Sequence, residues 1–143
     1  MPPTEDKPRK GAIRQAAYGC FRDRGYHETT VDAICAAAEV SKGTFYWYYP
    51  SKQAIFIDIL ENWGRQVMAE IYEQFEDSIG DAAYAEAIAA ALSRELHRGR
   101  VIVPLWLEFT VHASRDPEVG DALSKFYSRA RGAIAEMLRP FAG

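Results

Sequence analysis

Apolar residues recur at intervals of three and four along almost the whole chain, and no run alternates in the period-two manner of a strand. Such a chain can hide its hydrophobic surface only by packing helices against one another. Ile13, Ala16, Ala17, Cys20 and Phe21 form a first stripe, and Gly25 supplies a left-handed stop after Arg24. Thr30 can cap a short second helix whose inner face is Val31, Ile34, Cys35 and Ala38. Ser41 offers the next cap and Pro50 the next stop, so two brief helices meet at a tight turn around Glu39 and Val40.

Beyond Pro50 the pattern lengthens. Ser51 opens a fourth helix with Ile55, Ile59, Leu60, Trp63, Val67, Ile71, Phe75 and Ile79 along one side, running to Gly80. Asp81 opens a fifth bearing Tyr84, Ala85, Ile88, Leu92 and Leu96 and closing at Gly99. A sixth occupies the apolar stretch from Val101 to Ala113, with Pro104 near its first turn. Asp116, Pro117 and Glu118 combine a cap, a first-turn proline and an acid at the positive end of a helix dipole. The seventh helix then carries Val119, Leu123, Phe126, Tyr127, Ala130, Ile134, Met137 and Leu138 up to Pro140. The fold class expected is all-α. A flexible basic arm spans residues 1–10, a three-helix domain spans 11–53 with its helix-turn-helix at about 31–50, and a helical region spans 54–143, joined through the fourth helix without a tether.

Composition narrows the setting. With 48% hydrophobic and 26% charged residues the chain is an ordinary globular one. No apolar run approaches the roughly 20 residues of a membrane span, and the start has neither the basic nor the apolar region of a signal peptide. A cytoplasmic protein is therefore expected, with no membrane partner. Cys20 and Cys35 fall on apolar helix faces and read as reduced core thiols. The net charge of −3 conceals an asymmetry: residues 1–53 carry eight Lys or Arg against six Asp or Glu, residues 54–143 nine against fourteen. Positive charge gathers towards the N-terminus, where a polyanion would be met.

The third helix carries the chemistry. Val40, Phe45 and Tyr49 must turn inward to close the helix pair, which leaves Lys42, Gly43, Thr44, Tyr46, Trp47 and Tyr48 outward. Exposed aromatics beside a lysine and a hydroxyl mark a binding surface. Duplex DNA suits it: Gly43 permits close backbone approach, Thr44 can touch a base edge or methyl group, and tyrosine hydroxyls can donate to phosphate. The N–H groups opening the second and fourth helices, beside Thr30 and Lys52, are natural phosphate sites. The same aromatics could instead form core or dock a protein, and the residues alone leave a helical interaction or ligand-binding module without DNA function as the alternative.

The stretch Ala16-Ala17, Phe21, Gly25-Tyr26, Thr29-Thr30-Val31, Ile34, Ala38, then Val40 through Tyr49, and Ser51-Lys52, closely resembles the N-terminal domain of the TetR family of transcriptional regulators. The resemblance covers about residues 10–60; the later helices match the family's variable region in layout only. It implies a helix-turn-helix DNA-binding domain joined to a ligand-binding and dimerisation region, and a repressor released from its operator by a small-molecule effector. It implies double-stranded DNA and a second copy of the chain as partners. By the same resemblance Thr30, Ser41, Lys42, Gly43, Thr44, Tyr46, Trp47, Tyr48 and Lys52 match DNA-contacting positions, with Phe45 and Tyr49 the inward pair. Tyr48 departs from the histidine many relatives carry there. Relatives usually continue for two further helices that pack against the second subunit, whereas this sequence stops at Gly143, as a short form or a fragment.

For the effector the candidates are Trp63, Tyr84, Trp106, Phe109 and His112, large groups of the second region that serve equally well as core. Glu108 and His112 sit four apart on one face, with His97 a helix earlier, but the spacing fits no compact metal motif. No metal or other cofactor is expected. No cysteine, serine or acid pair forms a recognisable catalytic arrangement, so the chain is not read as an enzyme.

Overall fold

The computed structural model describes residues 7–76, 86, 89–90, 93–94, 96–97 and 102–139, and among them it is helical without a strand. The helices are α1 (Lys7–Glu28), α2 (Val31–Ala38), α3 (Lys42–Tyr48), α4 (Lys52–Glu76), α5 (Ile102–Ala113) and α6 (Pro117–Leu138). The expected helix after Asp81 falls largely outside the described residues, as does Tyr84; Leu96 of its stripe is described and exposed. No helix among the described residues is long and apolar enough to cross a membrane.

The caps stand where side-chain chemistry asks for them. Thr30 accepts from the Ala33 N–H, Ser41 from Thr44 N–H, Ser51 from Ala54 N–H, and Asp116 from Glu118 and Val119 N–H. Gly25 breaks α1 at φ 81 and ψ 169, the left-handed-side conformation that only glycine takes without a steric penalty. Glu39 ends α2 at φ 54, a costlier solution for a residue with a side chain, and Val40 N–H closes the turn on the Cys35 carbonyl at 3.0 Å. Of the expected arm, Lys7–Lys10 form the first turn of α1, and residues 1–6 lie outside the described residues. Lys10 Nζ lies 5.4 Å from the centre of the Tyr49 ring, a long-range attraction that local polarity does not reveal.

One hydrophobic core runs through both halves of the chain. Ile13, Ala17 and Phe21 of α1, Ile34 and Cys35 of α2, Phe45 of α3, Ile55, Phe56, Ile59 and Leu60 of α4, Phe109 of α5 and Val119 of α6 belong to a single cluster. Its centre is aromatic. Tyr26 stacks on Phe21 at 5.6 Å and meets Phe56 and Phe109 edge-on, each at 5.0 Å, while Phe56 stacks on Phe109 at 4.6 Å. Phe56 and Ile57 fall outside the stripe read from sequence, because α4 is covered by α1 on one side and by α6 and this aromatic group on another.

Burial pushes the phenols of Tyr26 and Tyr49 well above the ordinary value of 10.0; acids nearby, Asp116 and Glu108 for the first and a hydrogen bond to Asp58 for the second, push the same way. A phenol raised in the folded state contributes stability that is complete below 10.0 and is lost as pH climbs towards its folded value. Stability is therefore expected to fall from about pH 10 upward. Urea titrations at stepped pH should show this loss, and Tyr26→Phe should flatten it while changing stability near neutrality by less than about 1 kcal/mol. An alkaline limb as steep in Tyr26→Phe as in the parent would contradict the assignment.

Candidate nucleic-acid interface

The α2–turn–α3 pair is built from the inside out. Phe45 is completely buried and Tyr49 3% exposed, and their rings lie 5.9 Å apart. Tyr49 is further fixed by its hydroxyl, which donates to Asp58 Oδ2 at 2.6 Å; Arg14 Nη1 donates to the same oxygen at 3.2 Å. The far end of α3 is thus tied to α1 and α4 by one carboxylate. Asp58 and Arg14 escaped the sequence reading, and an acid three positions after Ile55 on an otherwise apolar side of α4 was the available signal.

Outside this anchor, Tyr46 and Trp47 stand out at 51% and 52% exposure, far more than bulky aromatics usually show. Lys42, Gly43 and Ser41 are exposed and Thr44 partly so. Ser41 Oγ lies 3.0 Å from Thr44 Oγ1, so the two hydroxyls form one polar spot at the start of α3. A Cβ added at Gly43 would meet nothing nearer than Ser41 Oγ at 3.8 Å. Packing within the chain therefore does not require glycine there. Lys42 Nζ pairs with Asp32 Oδ1 of α2 at 2.8 Å, and that bond raises its pKa. Thr30 stands exposed beside Asp32 at the opening of α2.

Two of the residues matched to DNA-contacting positions, Tyr48 and Lys52, turn their side chains inward. Tyr48 is half-buried against the core with its hydroxyl enclosed, because the last turn of so short a helix rotates it towards the bundle. Lys52 also turns inward. Its ammonium donates to the carbonyls of Tyr26 at 2.9 Å and His27 at 3.2 Å and lies 4.5 Å over the Tyr26 ring. Desolvation lowers its pKa there. The carbonyls ending α1 are a strong local acceptor, which a reading of charge along the sequence cannot show.

Of the expected effector residues, Trp63, Trp106, Phe109 and His112 lie among the described residues. Phe109 is wholly buried between Phe56 and Tyr26 and is core, not lining. His112 lies against the Tyr26 ring at 5.6 Å, Trp63 is half-buried against the core, and Trp106 packs on Phe126 and Tyr127. A shallow groove of about 300 Å³ along α6, lined by Gly120, Leu123, Ser124, Tyr127, Ser128 and Arg131, includes none of them. Glu108 has a different role: its carboxylate accepts from the N–H groups of Tyr26 at 2.9 Å and His27 at 2.7 Å.

Comparison with known proteins agrees with this geometry. Residues 13–59 match the sequence profile of the bacterial regulatory proteins, tetR family. The HTH-type transcriptional regulator UidR of Escherichia coli K12 is 26% identical over 136 residues, covering 95% of this chain and 67% of that protein. Salmonella enterica GusR superposes with a TM-score of 0.72 at 27% identity, covering 98% of this chain and 71% of that one. The fatty acid degradation regulator FadR of Bacillus halodurans superposes at 0.74 with 19% identity over 96% of this chain and 70% of its own, a likeness of fold. Matched by profile over residues 13–59 and by fold over nearly its whole length, the chain is similar to the TetR family of DNA-binding transcriptional regulators.

Proposed function

We propose that the chain is a sequence-specific repressor that grips its operator as a homodimer and lets go when a small-molecule effector binds among α4, α5 and α6. The observation that carries the DNA reading is the face of α3. Tyr46 and Trp47 project into solvent from a helix whose opposite side is locked by Phe45 and Tyr49, beside a glycine that the protein's own packing does not need. We assign contacts with DNA to Thr30, Ser41, Lys42, Gly43, Thr44, Tyr46 and Trp47, with Lys52 limited to its backbone N–H. Residues 11–53 then act as the reading domain, with 54–143 as the effector and dimer region. Trp63, Trp106 and His112, none of them fully buried, are the side chains best placed to feel an effector there.

Two reading helices must enter successive major grooves about 34 Å apart, so the reading requires a second copy. Apolar faces support one. Val103, Leu107 and Val111 of α5 and Tyr127 and Ile134 of α6 are all at least 40% exposed. An effector preferring a form with a different spacing would release DNA by no more than its differential affinity for the two forms.

Fluorescence anisotropy with a duplex from the region upstream of the chain's own gene is expected to show tighter binding than to a random duplex, weakening with salt as phosphate contacts are screened. Tyr46→Ala and Lys42→Ala should each cost about 1–3 kcal/mol of that binding or less. Gly43→Ala is the sharpest variant, because it should stabilise α3 by up to about 1 kcal/mol while weakening DNA binding. If the parent shows no preference, or all three variants bind as it does, α3 is not the reader. Native mass in solution checks the oligomer: a dimer is expected, and a monomer that persists on operator-length duplex would remove the two-groove arrangement.

A further inference from the structure

The backbone N–H and C=O groups of two consecutive residues, Tyr26 and His27, are held by opposite charges. The Glu108 carboxylate takes both N–H groups, at 2.9 Å and 2.7 Å, and the Lys52 ammonium takes both carbonyls, at 2.9 Å and 3.2 Å. The break at Gly25 creates this opportunity, since it deprives the two succeeding N–H groups of partners one turn back. The carboxylate also fills the space a side chain would take: a Cβ at Gly25 would lie 2.9 Å from Glu108 Oε2. Three elements meet at this point, the end of α1, the first residue of α4 and the middle of α5.

The reading unit begins directly after the held peptides. Thr29 is fully buried, its hydroxyl 2.6 Å from the Gly25 carbonyl and 3.2 Å from that of Cys20, and Thr30 caps α2, which packs on α3. We propose that Glu108 is a positioning residue for DNA reading: through the Tyr26 and His27 peptides it sets the orientation of α2 and α3 relative to α5. A carboxylate shared between two adjacent N–H groups has one good geometry, so a displacement of α5 breaks both bonds together. Trp106 and His112 lie on the same helix, which makes α5 a second route from the effector region to the reader, parallel to the covalent route through α4. This inference rests on the DNA-binding reading above and names the joint that reading needs.

Glu108→Gln is the test, because it keeps shape and bulk but offers one acceptor oxygen where the carboxylate offers two. Amide exchange at Tyr26 and His27 is expected to quicken at least about tenfold, as it does when a protecting bond is lost. Preference for the upstream duplex over a random one is expected to fall about tenfold, with random-duplex affinity and its salt dependence within about twofold of the parent, since no phosphate contact is touched. Gly25→Ala, which pushes the carboxylate aside, should act in the same direction, and the double variant should lose little more than either single one. Unchanged exchange, or quickened exchange with the duplex preference intact, overturns the proposal while leaving the DNA reading in place. A parent without duplex preference overturns both, and so the two failures are told apart.

Discussion

The ring of Tyr26 is the point on which the rest of the molecule depends. It touches Phe21 of α1, Phe56 of α4, Phe109 and His112 of α5, and the Lys52 ammonium above its face. Helices α1, α4 and α5 therefore meet at one side chain. Aromatic packing of this kind is dense and has few alternative arrangements, so it favours discrete positions over gradual bending. The core does not stop at residue 53, and the two expected regions share their hydrophobic centre.

Much of this architecture is legible in the sequence. Thr30, Ser41, Ser51 and Asp116 all cap as their positions suggest, because capping is local chemistry decided within three residues. The inward pair Phe45 and Tyr49 and the outward pair Tyr46 and Trp47 come from helical spacing alone. Hidden from such a reading is everything decided across long sequence separations. Glu108 meets Tyr26 and His27 over 82 and 81 positions, and Arg14 meets Asp58 over 44. Periodicity assigns a residue to a face but not to a partner, and so Phe109 read as a possible lining residue; the resemblance that matched Lys52 to a DNA-contacting position is equally silent about the partners its ammonium finds within the chain.

The cations near the reading face illustrate the consequence. Lys42 is paired with Asp32, Arg14 with Asp58, and Lys52 is held by two carbonyls. A phosphate approaching this face must compete with an existing partner for each of them. The Lys42–Asp32 pair is highly exposed and contributes little to folding, so it is the easiest to exchange. Lys52 is costlier to remove, since its departure would leave two end-of-helix carbonyls and a carboxylate without compensation.

This division assigns different duties to charge at the two ends of the reading unit. On the proposed reading the loosely held lysine of α3 is passed to DNA, and hydroxyls and aromatic edges supply contacts that do not depend on net charge. At the end of α1 the charges are spent internally, Glu108 holding the N–H groups and Lys52 the carbonyls of the same two residues. A chain of net charge −3 can therefore serve a polyanion, because Asp58 and Glu108, the acids nearest the reading unit's anchors, are engaged in hydrogen bonds within the chain. On the proposed reading, specificity comes from how rigidly α3 is held, through Asp58 bonded to Tyr49 and Glu108 bonded to the peptide N–H groups ahead of α2.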